Sequence, residues 1–222
     1  MNLHRIVLGI SGASGAGIGV RIAELLGATG GAEVHLVVSP AGERTLAHEV
    51  GSDALALLKE CVAHYHEVND MGAAIASGSF ATAGMIIAPC SMRTLASVAT
   101  GVTDNLLTRA ADVHLKERRR LVLIARESPL HLGHLRSMVA ATECGAIIAP
   151  PVPSFYLAPH SAADIIDQIA RRAIDLLDLI TPRLSLAWDG TKGVRPAAVS
   201  IQSTMTMTET ASQSFNGPSQ CS

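Results

Sequence analysis

Aromatic residues are scarce: three phenylalanines, two tyrosines and one tryptophan make up 3% of the 222 residues. Hydrophobic residues still reach 48%, so any core has to be assembled from Ala, Val, Ile and Leu. Charge of one sign is not in excess either. Seventeen Lys and Arg face nineteen Asp and Glu, a net charge of −2, which excludes nucleic acid or an anionic membrane surface as the main electrostatic partner. The four cysteines, Cys61, Cys90, Cys144 and Cys221, form no CxxC pair and no Cys/His ligand spacing. Neither a disulfide framework nor a zinc site is indicated, and a reducing cytoplasm is the expected location. No apolar run approaches the roughly 18 residues of a membrane helix. Met1 to Arg5 is too polar to open a cleavable leader.

What the chain does have is alternation. Short runs rich in Val, Ile and Leu read as strands: "RIVLGI" (5–10), "EVHLVVS" (33–39), "GMIIAP" (84–89), "RLVLIAR" (120–126) and "GAIIAP" (145–150). Such uninterrupted apolar runs suit strands covered on both faces. "HYHEV" (64–68) reads as a further edge strand. Helical periodicity fills the gaps at 16–26, 41–50, 53–62, 91–100, 105–118, 131–144 and 162–180. Strand and helix in turn predict an α/β fold with a doubly wound, mostly parallel sheet. One domain is expected over residues 1–190. Residues 191–222, rich in Ser, Thr and Gln, are expected to form a disordered tail.

Ligands of open parallel sheets bind beyond the carboxyl ends of the strands. The first strand delivers "SGASGAG", the second Ser39, the third "PCSMRT", the fourth Arg126 and Glu127, the fifth "PPVPSFY". The first junction is no dinucleotide fingerprint. Val20 stands where a third glycine is needed, and Ser39 stands where a ribose-gripping acid belongs. A helix N-terminus with Ser11, Ser14 and five nearby glycines is left, more than a serine cap requires, and it suits an anion cradle. Arg93, in the first turn of a helix, opposes the helix dipole and predicts an anionic partner, phosphate or carboxylate. Arg126 can fork onto a phosphate. Arg109, Asp112 and Lys116 read as a surface ion-pair stripe, Arg118 to Arg120 as a solvated helix end, and Cys90 as a small buried residue. His131 and His134 share a helix face without an evident third metal ligand.

Taken together, "GISGASGAGIGVRI", "SPAGERTLAHE", "ASGSF", "PCSMRTLASVATG", "DNLLTRAADVHLKERRRLVL", "ARESPLHLGHLRSM" and "PPVPSFYLAP" resemble the flavin prenyltransferases, the UbiX-like family once described as decarboxylase small subunits. The resemblance runs from about Arg5 to Trp188. It implies a flavodoxin- or Rossmann-like fold, a homo-oligomer (a dodecamer in the family) and no metal. It also implies transfer of a dimethylallyl group from dimethylallyl phosphate to reduced FMN, giving prenylated FMN for a UbiD-type decarboxylase.

Carried over residue by residue, the resemblance implies that Gly12, Ala13, Ser14, Ser39, Ser91, Met92, Arg93, Thr94 and Arg126 hold FMN. A mononucleotide also accounts for the missing ribose-gripping acid. Lys116, Tyr156 and Arg172 match residues that grip the prenyl phosphate. Ser77, Gly78 and Ser79 match the loop lining that site, and Arg109 matches an arginine often supplied by a neighbouring subunit. Ser14, Glu49 and Glu127 match groups that handle protons, and Trp188 matches an aromatic that closes the pocket. The chain departs from many relatives with "NDMGAAI" before the ASGSF loop and with Arg136 and Ser137 in the "LGHLRSM" helix. Two other activities fit the same fold: a flavoprotein that decarboxylates a peptidyl cysteine, and a non-catalytic flavin carrier.

Overall fold

The computed structural model describes residues 4–180, 182–188 and 190. The expected tail at 191–222 lies outside them. Six strands form one parallel sheet in the order β3-β2-β1-β4-β5-β6. They are β1 (His4–Ile10), β2 (Ala32–Val38), β3 (His64–His66), β4 (Gly84–Cys90), β5 (Arg120–Ala125) and β6 (Ile147–Ile148). β1, β2, β4 and β5 each bury at least five consecutive residues, because helices cover both faces.

Strand periodicity divides the core. Ile6, Leu8, Ile10, Val34, Leu36 and Val38 face α1 (Ala16–Ala28), α2 (Pro40–Glu49), α3 (Ala54–Cys61) and α7 (Ala162–Asp175). Val7, Val37, Met85, Ile87, Leu121 and Leu123 face α4 (Met92–Thr100), α5 (Leu106–Lys116) and α6 (Leu132–Glu143). Cys90 is fully buried at the end of β4, and burial pushes its thiol up to about 12, as suits a small packing residue.

α7 stops at Asp175 rather than running to 180. The buried carboxylate of Asp175 accepts Leu184 N–H at 2.7 Å and Ser185 N–H at 2.9 Å, which folds the following segment back along the helix. The surplus of glycines around α1 is also partly structural. A methyl on Gly19 would overlap the Ala88 carbonyl of β4, and one on Gly12 would overlap Ala41 of α2. Close approach of α1 and α2 to the sheet uses glycines that the sequence alone credits to a ligand.

Candidate active site

The strand order reverses between β1 and β4, so the crevice at their carboxyl ends is the switch point of the sheet. Buried Ser11 ties its two lips together. Its hydroxyl donates to the Pro89 carbonyl at 2.9 Å and accepts Ser91 N–H at 2.7 Å. Beyond Ser11 the chain turns into α1 through Gly15, whose φ of 108° lies in the left-handed region that suits glycine. Gly15 and Ala16 then donate their N–H groups to Glu49 Oε2, at 2.8 and 2.9 Å. Burial by itself would raise the Glu49 carboxyl. The Ser14 hydroxyl beside it, those two N–H groups and the Arg126 charge outweigh burial and hold it below the usual carboxylate range.

Two more helices start at the same edge. Ser39 caps α2, accepting Gly42 N–H at 3.1 Å. Ser91 caps α4, accepting Thr94 N–H at 3.3 Å, with Thr94 Oγ1 3.1 Å away. A capping hydroxyl accepts through a lone pair and keeps its own proton to donate. Ala13, Met92 and Thr94 are buried beneath. Three helix N-termini, the hydroxyls of Ser14, Ser39 and Ser91, and Arg126 therefore share one edge with the Glu49 carboxylate, a donor set that fits a phosphate-bearing mononucleotide. Glu127 follows Arg126 on the exposed β5 loop, its Oε1 accepting Ser128 N–H at 3.0 Å. Arg93 finds the partner its position demands in Asp104, at 3.0 Å.

A second cluster lies at the opposite edge. The loop over residues 77–83 enters the amino end of β4, where Ala83 N–H donates to the Arg5 carbonyl of β1 at 2.7 Å. Arg109 reaches this loop early, donating to the Ala76 carbonyl at 3.2 Å while paired with Asp112 at 2.9 Å. Lys116, at the end of α5, pairs with Glu117 at 2.6 Å, and that pair fills the space a side chain on Gly78 would need. Ser77 and Ser79 share a hydroxyl contact of 2.9 Å. Strand rise puts this edge roughly 20 Å from the carboxyl ends. Within one chain, Ser77, Gly78 and Lys116 therefore stand at the edge opposite Ser14, Ser39, Ser91 and Arg126.

Arg119 is the residue that the sequence reading misplaced. It does not end a helix in solvent. Its guanidinium donates to the carbonyls of Gly78 at 2.6 Å and Phe80 at 2.9 Å and to Thr82 Oγ1 at 3.1 Å, fixing the loop that carries Ser77. Arg120 likewise donates to the Leu176 carbonyl at 2.9 Å and pairs with Asp178 at 3.1 Å. The approach of the 77–83 loop gives Arg119 its partners, and the segment at the end of α7 gives Arg120 its own.

A third group gathers at the β6 end. Tyr156 lies on a short 3-10 turn, Phe155–Leu157, and meets Trp188 edge to face at 5.5 Å. The segment carrying Trp188 is strapped to α7 by Asp175 and by Gln168, which donates to the Leu186 carbonyl at 3.2 Å. Arg172, exposed, shares the helix face of Gln168 and Asp175 at spacings i+4 and i+7 and so lies beside this strap. Asp175 and Gln168 carry no sequence signal for this role. His131 caps α6 by accepting Gly133 N–H at 3.0 Å, and its ring lies 3.5 Å from that of His134.

An α/β sheet with this switch-point donor set is the framework of a mononucleotide flavoprotein. A family model described as Flavoprotein matches residues 1–180. The chain is 54% identical over 175 residues to "Flavin prenyltransferase UbiX" of Thauera aromatica, covering 79% of this chain and 89% of that protein. The crystal structure of AnUbiX (PadA1) in complex with FMN and dimethylallyl pyrophosphate superposes with a TM-score of 0.81 at 44% identity, covering 86% of this chain and all of that one. A dodecameric FMN-dependent UbiX-like decarboxylase from Escherichia coli O157:H7 follows at 0.79 and 39%, covering 84% of this chain and all of that one. The cysteine decarboxylase TvaF, at 16% identity and a TM-score of 0.57, shares the fold alone. The chain belongs to the Flavoprotein family and, within it, to the UbiX flavin prenyltransferases.

Proposed function

We propose that this chain joins the dimethylallyl group of dimethylallyl phosphate to N5 and C6 of reduced FMN, and that the prenylated flavin serves a UbiD-type decarboxylase. The observation that carries this reading is the edge where three helix N-termini, Ser14, Ser39, Ser91 and Arg126 converge on one crevice with Glu49. Gly12 to Ser14, Ser39 and the Ser91 to Thr94 turn hold FMN, which when bound supplies the ring atoms that receive the prenyl group. The amino-edge group needs a second copy. Ser77, Gly78, Arg109 and Lys116 of a neighbouring chain bring the amino-edge cluster to the carboxyl edge, in keeping with a dodecameric assembly.

Departure of phosphate from an allylic carbon builds negative charge on the leaving oxygens. In this reading Lys116 of the neighbouring chain, Arg126, Arg172 and the Tyr156 hydroxyl stabilise it, and a dry enclosure strengthens each contact. Tyr156 and Trp188 present π faces to the electron-poor prenyl carbon. Glu49 Oε2 is held by Gly15 and Ala16 beside the Ser14 hydroxyl, so a proton relayed through Ser14 has a defined acceptor. Glu127, next to Arg126 at the same exposed edge, is the second carboxylate this reading assigns to proton handling. A cytoplasmic setting goes with this chemistry. Among the described residues no helix is long and apolar enough to cross a membrane, and Cys61, Cys90 and Cys144 are unpaired.

The test is to incubate the purified chain with reduced FMN and dimethylallyl phosphate and weigh the flavin. A flavin heavier by one five-carbon unit is the expected product. A flavin of unchanged mass overturns the reading, and release of carbon dioxide from a C-terminal cysteine peptide would put the cysteine decarboxylase in its place.

A further inference from the structure

Glu33 and His35 alternate along β2, and His64 and His66 alternate along the neighbouring edge strand β3, so all four side chains stand on one sheet face. The register pairs His35 with His64 and Val37 with His66. One carboxylate oxygen, Glu33 Oε1, lies 3.2 Å from His35 Nε2 and 3.2 Å from His64 Nε2. The other, Oε2, is held by Arg5 Nε at 3.3 Å. His35 Nδ1 in turn lies 3.0 Å from His66 Nε2. Neither the flavin crevice nor the loop cations use these residues.

We propose that Glu33, His35 and His64 bind a divalent first-row transition ion of the zinc class, leaving one outward position for water. The spacing fits such an ion. Bonds of about 2.0 to 2.2 Å in tetrahedral geometry put neighbouring ligand atoms roughly 3.3 to 3.6 Å apart. Two of the three ligand pairs already stand at 3.2 Å, and all three ligand atoms lie within 4.8 Å of one another. The supporting groups fit as well. Arg5 holds the oxygen the ion does not need, and the tautomer in which His35 Nδ1–H donates to His66 Nε2 turns the Nε2 lone pair of His35 toward the site. Two imidazoles and one carboxylate disfavour magnesium and calcium, which take oxygen ligands. His35 is buried and His64 is exposed, so the ion enters from the edge. Phe80, from the loop that carries Ser77, rests its edge on the His35 ring at 5.2 Å, so an ion here clamps β3 to β2 next to that loop.

The full-length protein, stripped with a chelator, is titrated with zinc alone by calorimetry and with cobalt(II) by visible absorption. One equivalent per chain is expected, with the strong d–d bands of four-coordinate cobalt, displaced by zinc. His64→Ala and Glu33→Gln, both at the sheet edge, each lower zinc affinity at least tenfold, whereas His131→Ala leaves it unchanged. Thermal unfolding of the ion-free variants checks that each is folded, and His64→Gln serves in place of either variant that is not. Absence of stoichiometric zinc binding to the parent chain, or binding that persists in the folded edge variants, overturns the site. Neither result bears on the prenylation assay.

Discussion

Glu49 Oε2 lies 2.8 Å from the Gly15 N–H and 2.9 Å from the Ala16 N–H, so the last residue of α2 occupies the free N–H groups at the start of α1. A carboxylate of the chain itself stands where an incoming anion would otherwise bind. With those α1 groups taken, the hydroxyls and N-termini left open at this edge are those of α2 and α4, and the carboxylate remains charged beside Ser14.

Glu49→Gln keeps the shape and removes the charge. FMN affinity, read by flavin fluorescence, is expected to hold or tighten, because an anion no longer faces a carboxylate. Formation of prenylated flavin should fall about a hundredfold, the usual scale for losing a proton acceptor. Unfolding should become easier by about 1 kcal/mol, the scale of a carboxylate at a helix N-terminus. Undiminished product formation would remove Glu49 from the proton path.

Gly12→Ala places a methyl against Ala41 at the start of α2. Backbone must shift to admit it, at a cost of roughly 1 to 3 kcal/mol. Because Ser39 caps that same helix, FMN binding should weaken along with stability. A calorimetric titration and a denaturant melt of the same sample read both losses.

His114 is buried, its ring nitrogens 2.9 Å from Thr82 Oγ1 and 2.7 Å from the Ala110 carbonyl. Burial, aided by the Arg119 charge, pushes its pKa down to about 4. In the unfolded chain a histidine titrates near 6.5. Between those values the unfolded state binds more protons, so the contribution is complete above about pH 6.5 and is lost as pH falls toward 4. The expected loss is on the order of 3 kcal/mol, at about 1.4 kcal/mol per pH unit. In His114→Gln the slope of stability against pH over that window should flatten by up to one proton, as measured by urea melts at stepped pH.

Lys116→Ala and Ser14→Ala disable clusters at opposite edges of the sheet. Each variant alone should lose most of its prenylation activity. Co-expressed, they should form mixed assemblies in which some sites draw an intact Ser14 from one copy and an intact Lys116 from another. Recovery of activity above either variant alone is the expected outcome in a co-purified sample. No recovery in verified mixed assemblies would place both groups in the same chain's cleft.

Asp175 is buried and accepts from Leu184 N–H, Ser185 N–H and the Ser185 hydroxyl. Asp175→Asn removes the charge and misplaces a donor, so the strap should loosen at a cost of roughly 2 kcal/mol. Trp188 is the only tryptophan, so its emission reports the change directly. It should shift to longer wavelength as the ring leaves Tyr156, and KM for dimethylallyl phosphate should rise.

Much of this molecule was readable before folding was considered. Apolar runs at 5–10, 33–39, 84–89 and 120–126 announce strands covered on both faces, because they are too short for helices and rich in Val and Ile. Ser39, Ser91 and Arg126 were legible as residues of the carboxyl edge, because they directly follow such strands. Arg119 was not legible. A cation in a basic run shows its role only when the loop carrying Gly78 and Phe80 is brought to it from 39 to 41 residues away. The same holds for Asp175, whose partners are backbone N–H groups and leave no trace in residue type.

The amino-acid sequence by itself determined the strand and helix alternation, the small-residue turn into α1 and the family, since these depend on local periodicity and on motifs in order. Tertiary structure alone decided which edge of the sheet each group occupies. Strand direction sends Ser14 and Arg126 to one end and Lys116 to the other, because a parallel sheet separates its carboxyl and amino ends by the full length of its strands. It also set Glu33, His35 and His64 around one point, since only pairing of β2 with β3 brings residues distant in the chain onto adjacent positions of a single face.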